Sequence, residues 1–179
     1  MISEQAKQGV NYIFTKAVKA NLTVDASDSV EVAQLHDAGF ADLPGKNIVV
    51  LTISSYLFRL LIIFHVDADQ ATEAHFTKLQ PERSFHEVFG EFGNLCVGAM
   101  NRDMGNHFLH LGMSTPYVLE SRSLPFLNEL KPGYVARHQI GINNAVSLHA
   151  TLCLCAYAPI DFRVDMSAVE EETGTIELF

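Results

Sequence analysis

The sequence predicts an α+β fold, a mostly antiparallel sheet packed against two or three helices, one of them long. Three observations carry that prediction. Residues 85–101 repeat apolar side chains at three- and four-residue steps (Phe85, Val88, Phe92, Leu95 and Ala99), the spacing of one helix face turned toward a core. Residues 47–54 and 56–66 are dense in Val, Ile, Leu and Phe, which suits central strands covered on both faces. Residues 134–142 and 145–158 flank Asn143-Asn144, a pair that tolerates positive φ at the tip of a hairpin.

Length and composition set the frame. With 179 residues and 48% apolar composition the chain can bury a full core as a single domain over 1–179. Its 18% charged residues and mean hydropathy of +0.13 argue against disorder. A net charge of −9 with scattered basic residues excludes nucleic acid as a partner, because phosphate neutralisation needs clustered Lys and Arg. Cys96, Cys153 and Cys155 sit inside apolar runs as small hydrophobes and make no secreted disulfide framework. The start of the chain lacks the basic region and apolar run of a signal peptide. The most apolar stretch, 57–66, contains Arg59 and is too short for a bilayer. A cytoplasmic protein without a membrane partner is expected.

The elements follow in order. Residues 3–20 place Ala6, Val10, Ile13, Phe14, Ala17 and Val18 on one side of an amphipathic helix. A strand is expected over 23–35, made irregular by Asp25 and Asp28. Residues 38–46 form a loop with a Pro44-Gly45 turn signal. The strands 47–54 and 56–66 follow, joined near Ser54-Ser55. Asp67 is positioned to cap a helix over 68–79, with Ala71, Ala74, Phe76 and Leu79 on its apolar side and Pro81 closing it. Ser84 precedes the long helix as an N-cap, and Glu87 three residues later completes a capping box. Beyond the helix, a strand is expected over 116–120, a loop over 121–133, the hairpin, and a loose tail over 173–179.

The long helix carries a second face. Glu87, Glu91, Asn94, Gly98, Asn101 and Gly105 recur by the same steps, rotated away from the apolar stripe. An ordinary solvated face would carry Lys, Glu and Gln, which keep helix propensity high. Each interior glycine instead costs a helix roughly 0.5–1 kcal/mol against Ala. A smooth face of this kind suits a partner that docks closely. The plainer readings are that Glu87 serves its own helix start, that Glu91 is a solvated residue, and that Asn94 hydrogen-bonds a neighbouring element.

Other chemistries leave no trace. Eight histidines are scattered without a C-x-x-C or H-E-x-x-H pattern, so no metal is expected. No Walker loop, no G-x-S-x-G elbow and no dinucleotide fingerprint occurs. The chain shows no nucleophile or cofactor of its own.

The segment Glu87-Val88-Phe89-Gly90-Glu91-Phe92-Gly93-Asn94-Leu95-Cys96-Val97-Gly98-Ala99 resembles the signature helix of the CheX/CheC chemotaxis phosphatases. Their pattern is an acidic or Ser residue, three residues, Glu, two residues, Asn. The resemblance spans about 46–158 and implies the CheC/CheX-like version of the α+β fold. The first 45 residues add a helix and an irregular strand, and 159–179 form a C-terminal segment. One signature helix favours the CheX arrangement over the two-helix CheC one. The activity it implies is hydrolysis of the aspartyl-phosphate of a CheY-type response regulator. Asn94 would orient the attacking water and Glu91 would pair with a regulator lysine. Glu87, where the family more often has Asp or Ser, is carried as a peripheral contact. Gly90, Gly93 and Gly98 would let the helix lie close to the regulator, with Asn101 at the rim. The regulator would supply Mg²⁺, and the family likeness makes a homodimer paired through the sheet plausible. The alternatives are a non-catalytic module for a response regulator or flagellar-switch-like partner, and a helix face that packs inside an oligomer.

Overall fold

The computed structural model describes residues 1–36, 45–67 and 69–166. Among these, seven strands join in one sheet whose pairings are all antiparallel: β1 (Val30–Leu35), β2 (Asn47–Ser54), β3 (Phe58–Val66), β4 (Gly112–Met113), β5 (Tyr117–Glu120), β6 (Tyr134–Ile142) and β7 (Val146–Ala156). The spatial order is β1-β6-β7-β3-β2, with β4 and β5 both pairing the far side of β2. The apolar runs therefore became the centre of the sheet, as their continuous hydrophobicity requires. Asn143 and Asn144 both adopt φ 54° at the β6–β7 tip, the left-handed conformation of the two central residues in the turn that Ala145 N–H closes on the Ile142 carbonyl, within a three-residue connection between paired Ile142 and Val146.

Among the described residues three α-helices cover one face of the sheet: α1 (Glu4–Asn21), α2 (Gln70–Thr77) and α3 (Phe85–Gly105). Val10, Phe14 and Val18 of α1 and Val88, Phe89, Cys96 and Val97 of α3 are buried with Val49, Leu51, Ile62 and Phe64 of the sheet. Phe76 of α2 meets Phe85, Phe89 and Phe92 in edge contacts, an arrangement aromatic quadrupoles favour. Lys16 ties α1 to α3 through Asp103 at 3.3 Å.

Several expectations need correction. The strand foreseen over 23–35 forms only at 30–35, because the Asp28 carboxylate accepts from the backbone N–H of Val24 and Asp25 and holds that stretch in a turn. Helix α2 is capped by Asp69, whose carboxylate accepts from Ala71 and Thr72 N–H, while Asp67 accepts from Lys46 N–H. Leu79 lies beyond that helix and is exposed. Residues 121–133 are not a plain loop. Ser121–Leu130 winds into a 3-10 helix that lays Leu124 and Leu127 on the opposite face of the sheet, over Ile48, Val50, Leu61, Ile63, Cys153 and Cys155. That cover explains why both faces of β7 are buried over Ala150–Cys155. Most of the 38–46 loop and the tail over 173–179 lie outside the described residues.

Candidate functional site

Helix α3 begins as the capping-box spacing anticipated. Ser84 Oγ accepts from Glu87 N–H at 3.4 Å, and the Glu87 carboxylate accepts from Ser84 N–H at 3.1 Å and from Ser84 Oγ at 2.8 Å. These hydrogen bonds hold the Glu87 carboxyl below its ordinary range. Glu87 is exposed, and its carboxylate is engaged by its own helix start.

Inward, α3 buries Phe85, Val88, Phe89, Gly90, Gly93, Cys96, Val97, Met100 and Met104. The core stripe is therefore turned from the expected one: Phe92 and Ala99 only flank it, and Leu95 is 56% exposed. Gly90 and Gly93 belong to this inner side too, which corrects their reading as clearance for a partner. A Cβ on Gly93 would stand 3.3 Å from Leu51 Cδ1, and one on Gly90 would meet Pro116 Cγ at 3.5 Å. Their missing side chains let the helix settle on the sheet and its edge.

Outward, α3 presents Glu87, Glu91, Asn94, Leu95, Arg102 and Gly105 as exposed residues, with Gly98 and Asn101 half-buried between them. Glu91 and Asn94 lie one turn apart on this open side. Glu91 is not idle. Arg83, just before the helix, donates from Nη1 to Glu91 Oε1 at 2.8 Å and to Gln80 Oε1 at 2.6 Å. The Glu91 hydrogen bond pushes the Arg83 guanidinium further into its charged range. Asn101 is a weaker candidate for an outward contact, since its Oδ1 is enclosed without a hydrogen-bond partner among the described residues.

The edge of the sheet forms one flank of this surface. Met113 stands opposite Ile53 and Val118 opposite Val49, and both partners face the helices. Directly opposed residues share a sheet face, so Met113 and Val118, 36% and 46% exposed, lie on the side of α3 with Pro116. Among the described residues no group of three or more His, Cys, Asp or Glu is placed to hold a metal ion, and no helix is long and apolar enough to cross a membrane.

Comparison with solved structures places this architecture. CheX from Vibrio vulnificus superposes with a TM-score of 0.58 at 14% identity, over 82% of this chain and 99% of that one. CheX from Borrelia burgdorferi, solved as a complex with CheY, BeF3 and Mg²⁺, gives a TM-score of 0.58 at 10% identity, over 83% and 96% of the two chains. The fold is that of the CheX chemotaxis proteins. It is also shared more widely: the FliM middle domain from Vibrio alginolyticus matches with a TM-score of 0.53 at 7% identity, over 82% and 91%. No family model and no curated protein matches the sequence.

On this CheX-like fold two outward residues escaped sequence reasoning. Leu95 was absorbed into the apolar periodicity, although it lies four residues beyond Glu91 and shares its side. Arg102 was overlooked as one more scattered cation, although the four-residue steps Asn94, Gly98 and Arg102 place it on the same row.

Proposed function

We propose that the outward face of α3 docks on a response regulator of the CheY type and that the chain hydrolyses the regulator's aspartyl-phosphate. The observation that carries this reading is the joint exposure of Asn94 and Glu91 on one side of α3, uncovered by the rest of the described chain. A CheX of the same fold solved with CheY supports the choice of partner, and the Glu91-x-x-Asn94 spacing supports the choice of reaction.

The chemistry asks little of the protein. An aspartyl-phosphate is a reactive mixed anhydride, so hydrolysis is mainly a matter of positioning a nucleophile and stabilising charge. The carboxamide oxygen of Asn94 accepts a hydrogen bond from water and fixes its lone pair in line with phosphorus. The water oxygen bonds to phosphorus, the bond from phosphorus to the aspartyl oxygen breaks, and the electron pair stays on the released carboxylate. Both water protons leave with inorganic phosphate, as dihydrogen phosphate. Mg²⁺ belongs to the regulator in this scheme. Glu91 pairs with a regulator lysine and sets the register in which Asn94 meets the phosphoryl group.

The test is a phosphate-release screen against the response regulators of the source organism, each charged with [³²P]acetyl phosphate. Catalytic amounts of the chain shorten the lifetime of one of them. Asn94→Ala abolishes the acceleration, by roughly 100-fold or more as for other groups that organise the transition state, and leaves the complex intact. Glu91→Lys weakens association roughly tenfold, on the scale of a charge pair lost at an interface. An unaltered affinity would contradict the docking role.

A second reading has its own support. The FliM middle domain shares the fold, and Glu91 is already held by Arg83. On that reading the face is a non-catalytic docking module, and a regulator that binds tightly without any change in phosphoryl lifetime would establish it. The outer edge of β5, which pairs no further strand among the described residues and where Tyr117, Val118 and Leu119 are 42–46% exposed, supports the sheet-mediated homodimer; a monomeric sedimentation profile would count against it.

A further inference from the structure

The outward row of α3 continues past Asn94 to a cation. Asn94, Gly98 and Arg102 are spaced by four residues, and each step drifts only about 40° around the helix. Long helical side chains lean back toward the N-terminus, and Arg102 does so: its Nη1 lies 3.8 Å from where a Cβ on Gly98 would stand. The guanidinium thus rests over Gly98, about 6 Å along the axis from Asn94. It is exposed, and no ion pair is formed by it among the described residues. The nearby acids are engaged elsewhere: Asp103 with Lys16 at 3.3 Å, Glu91 with Arg83 at 2.8 Å, and Glu87 in the capping box.

The face has an electrostatic problem that this arrangement answers. A chain of net charge −9 presents two carboxylates on the surface where a phosphoryl anion is to be received. Phosphoryl transfer spreads negative charge over three equatorial oxygens. A guanidinium offers a planar fork of N–H donors that spans two such oxygens. It stays protonated throughout, so it donates hydrogen bonds and moves no proton. Glycine at 98 keeps the space between Arg102 and Asn94 free of a side chain.

We propose that Arg102 is a catalytic residue, folded over Gly98 so that its guanidinium contacts the phosphoryl oxygens while Asn94 holds the water. The inference rests on the phosphatase reading above and deepens it. A basic residue in the last turn of a helix also complements the helix dipole, so the experiment must separate chemistry from stability.

The probe is the response regulator, charged with [³²P]acetyl phosphate, whose phosphoryl lifetime the wild-type chain shortens. Turnover is measured at varied regulator concentration. Arg102→Ala lowers kcat roughly 10- to 100-fold, the scale of removing one transition-state donor from a partly solvated site, with KM within threefold of wild type. Arg102→Lys restores part of kcat by returning the charge without the fork. Four outcomes overturn the inference. An unchanged kcat with a lowered melting temperature assigns Arg102 to the helix dipole, and a rise in KM alone makes it a docking residue. A wild type inactive toward every regulator removes the phosphatase reading and this inference together, whereas an active wild type with an indifferent Arg102→Ala removes the inference alone.

Discussion

The two sides of α3 use glycine for opposite ends. On the inner side Gly93 sits where a side chain would press on Leu51 and Phe64, and Gly90 where one would touch Pro116. On the outer side a Cβ at Gly98 would meet only the Arg102 guanidinium at 3.8 Å, and one at Gly105 would meet nothing within 4 Å. The inner glycines set the distance between helix and sheet. The outer ones lower helix propensity without any packing return inside the chain. A residue type that costs stability on an exposed surface points to something outside the molecule, whereas the same type inside points to its own core.

The sharpest way to break this comparison is to fill the inner side. Gly93→Val adds a branched side chain against Leu51 Cδ1, 3.3 Å from the first new carbon, in a core where Leu51 and Phe64 are fully buried. Overpacking of this kind costs about 1–3 kcal/mol, and urea unfolding should show a lower midpoint with an unchanged slope. A neutral result would mean that α3 can lift off the sheet at no expense, and the distinction between the two sides would fail.

A smaller effect tests where Glu87 belongs. Its carboxylate faces outward yet completes the reciprocal cap with Ser84. Ser84→Ala removes the acceptor for Glu87 N–H and should cost about 1 kcal/mol of stability. It also removes the hydroxyl that donates to the Glu87 carboxylate, which keeps only the backbone N–H of residue 84 as its cap. If regulator affinity stays within twofold while the unfolding midpoint falls, Glu87 is a helix-start residue that happens to lie on the docking side.

Much of this division was legible in the sequence, and the failures have physical causes. The strands 47–54 and 56–66 were readable because strands covered on both faces leave no polar alternation to confuse. The Asn143-Asn144 tip was readable because few residues accept positive φ. The capping box was readable because its donors and acceptors lie three residues apart. The inner and outer sides of α3 blurred for a different reason. Periodicity counts apolar residues and assigns them inward, so Leu95 was drawn into the core stripe, while Gly90 and Gly93, which have no side chain to weigh, were assigned outward. Arg83 reaching Glu91 and Arg102 folding back over Gly98 depend on side-chain direction, which a sequence does not print. The turn at 24–28 was lost because Asp28 acts through its side chain on backbone groups that strand propensity assumes are free.

The finest test of the outer side is the mildest substitution. Gly98→Ala adds one methyl to a surface where nothing but the Arg102 guanidinium lies within 4 Å. Removing an interior helix glycine should stabilise the chain by about 0.5–1 kcal/mol, seen as a higher urea midpoint. This is the reverse in sign of the Gly93→Val result, on the same helix less than two turns away. If the outward face receives another protein, the same methyl should weaken regulator association while the isolated chain grows more stable. Stability gained together with affinity lost is the signature of a surface shaped for a partner. Gains in both would reassign Gly98 to an ordinary solvated position and leave the smoothness of the face without a purpose.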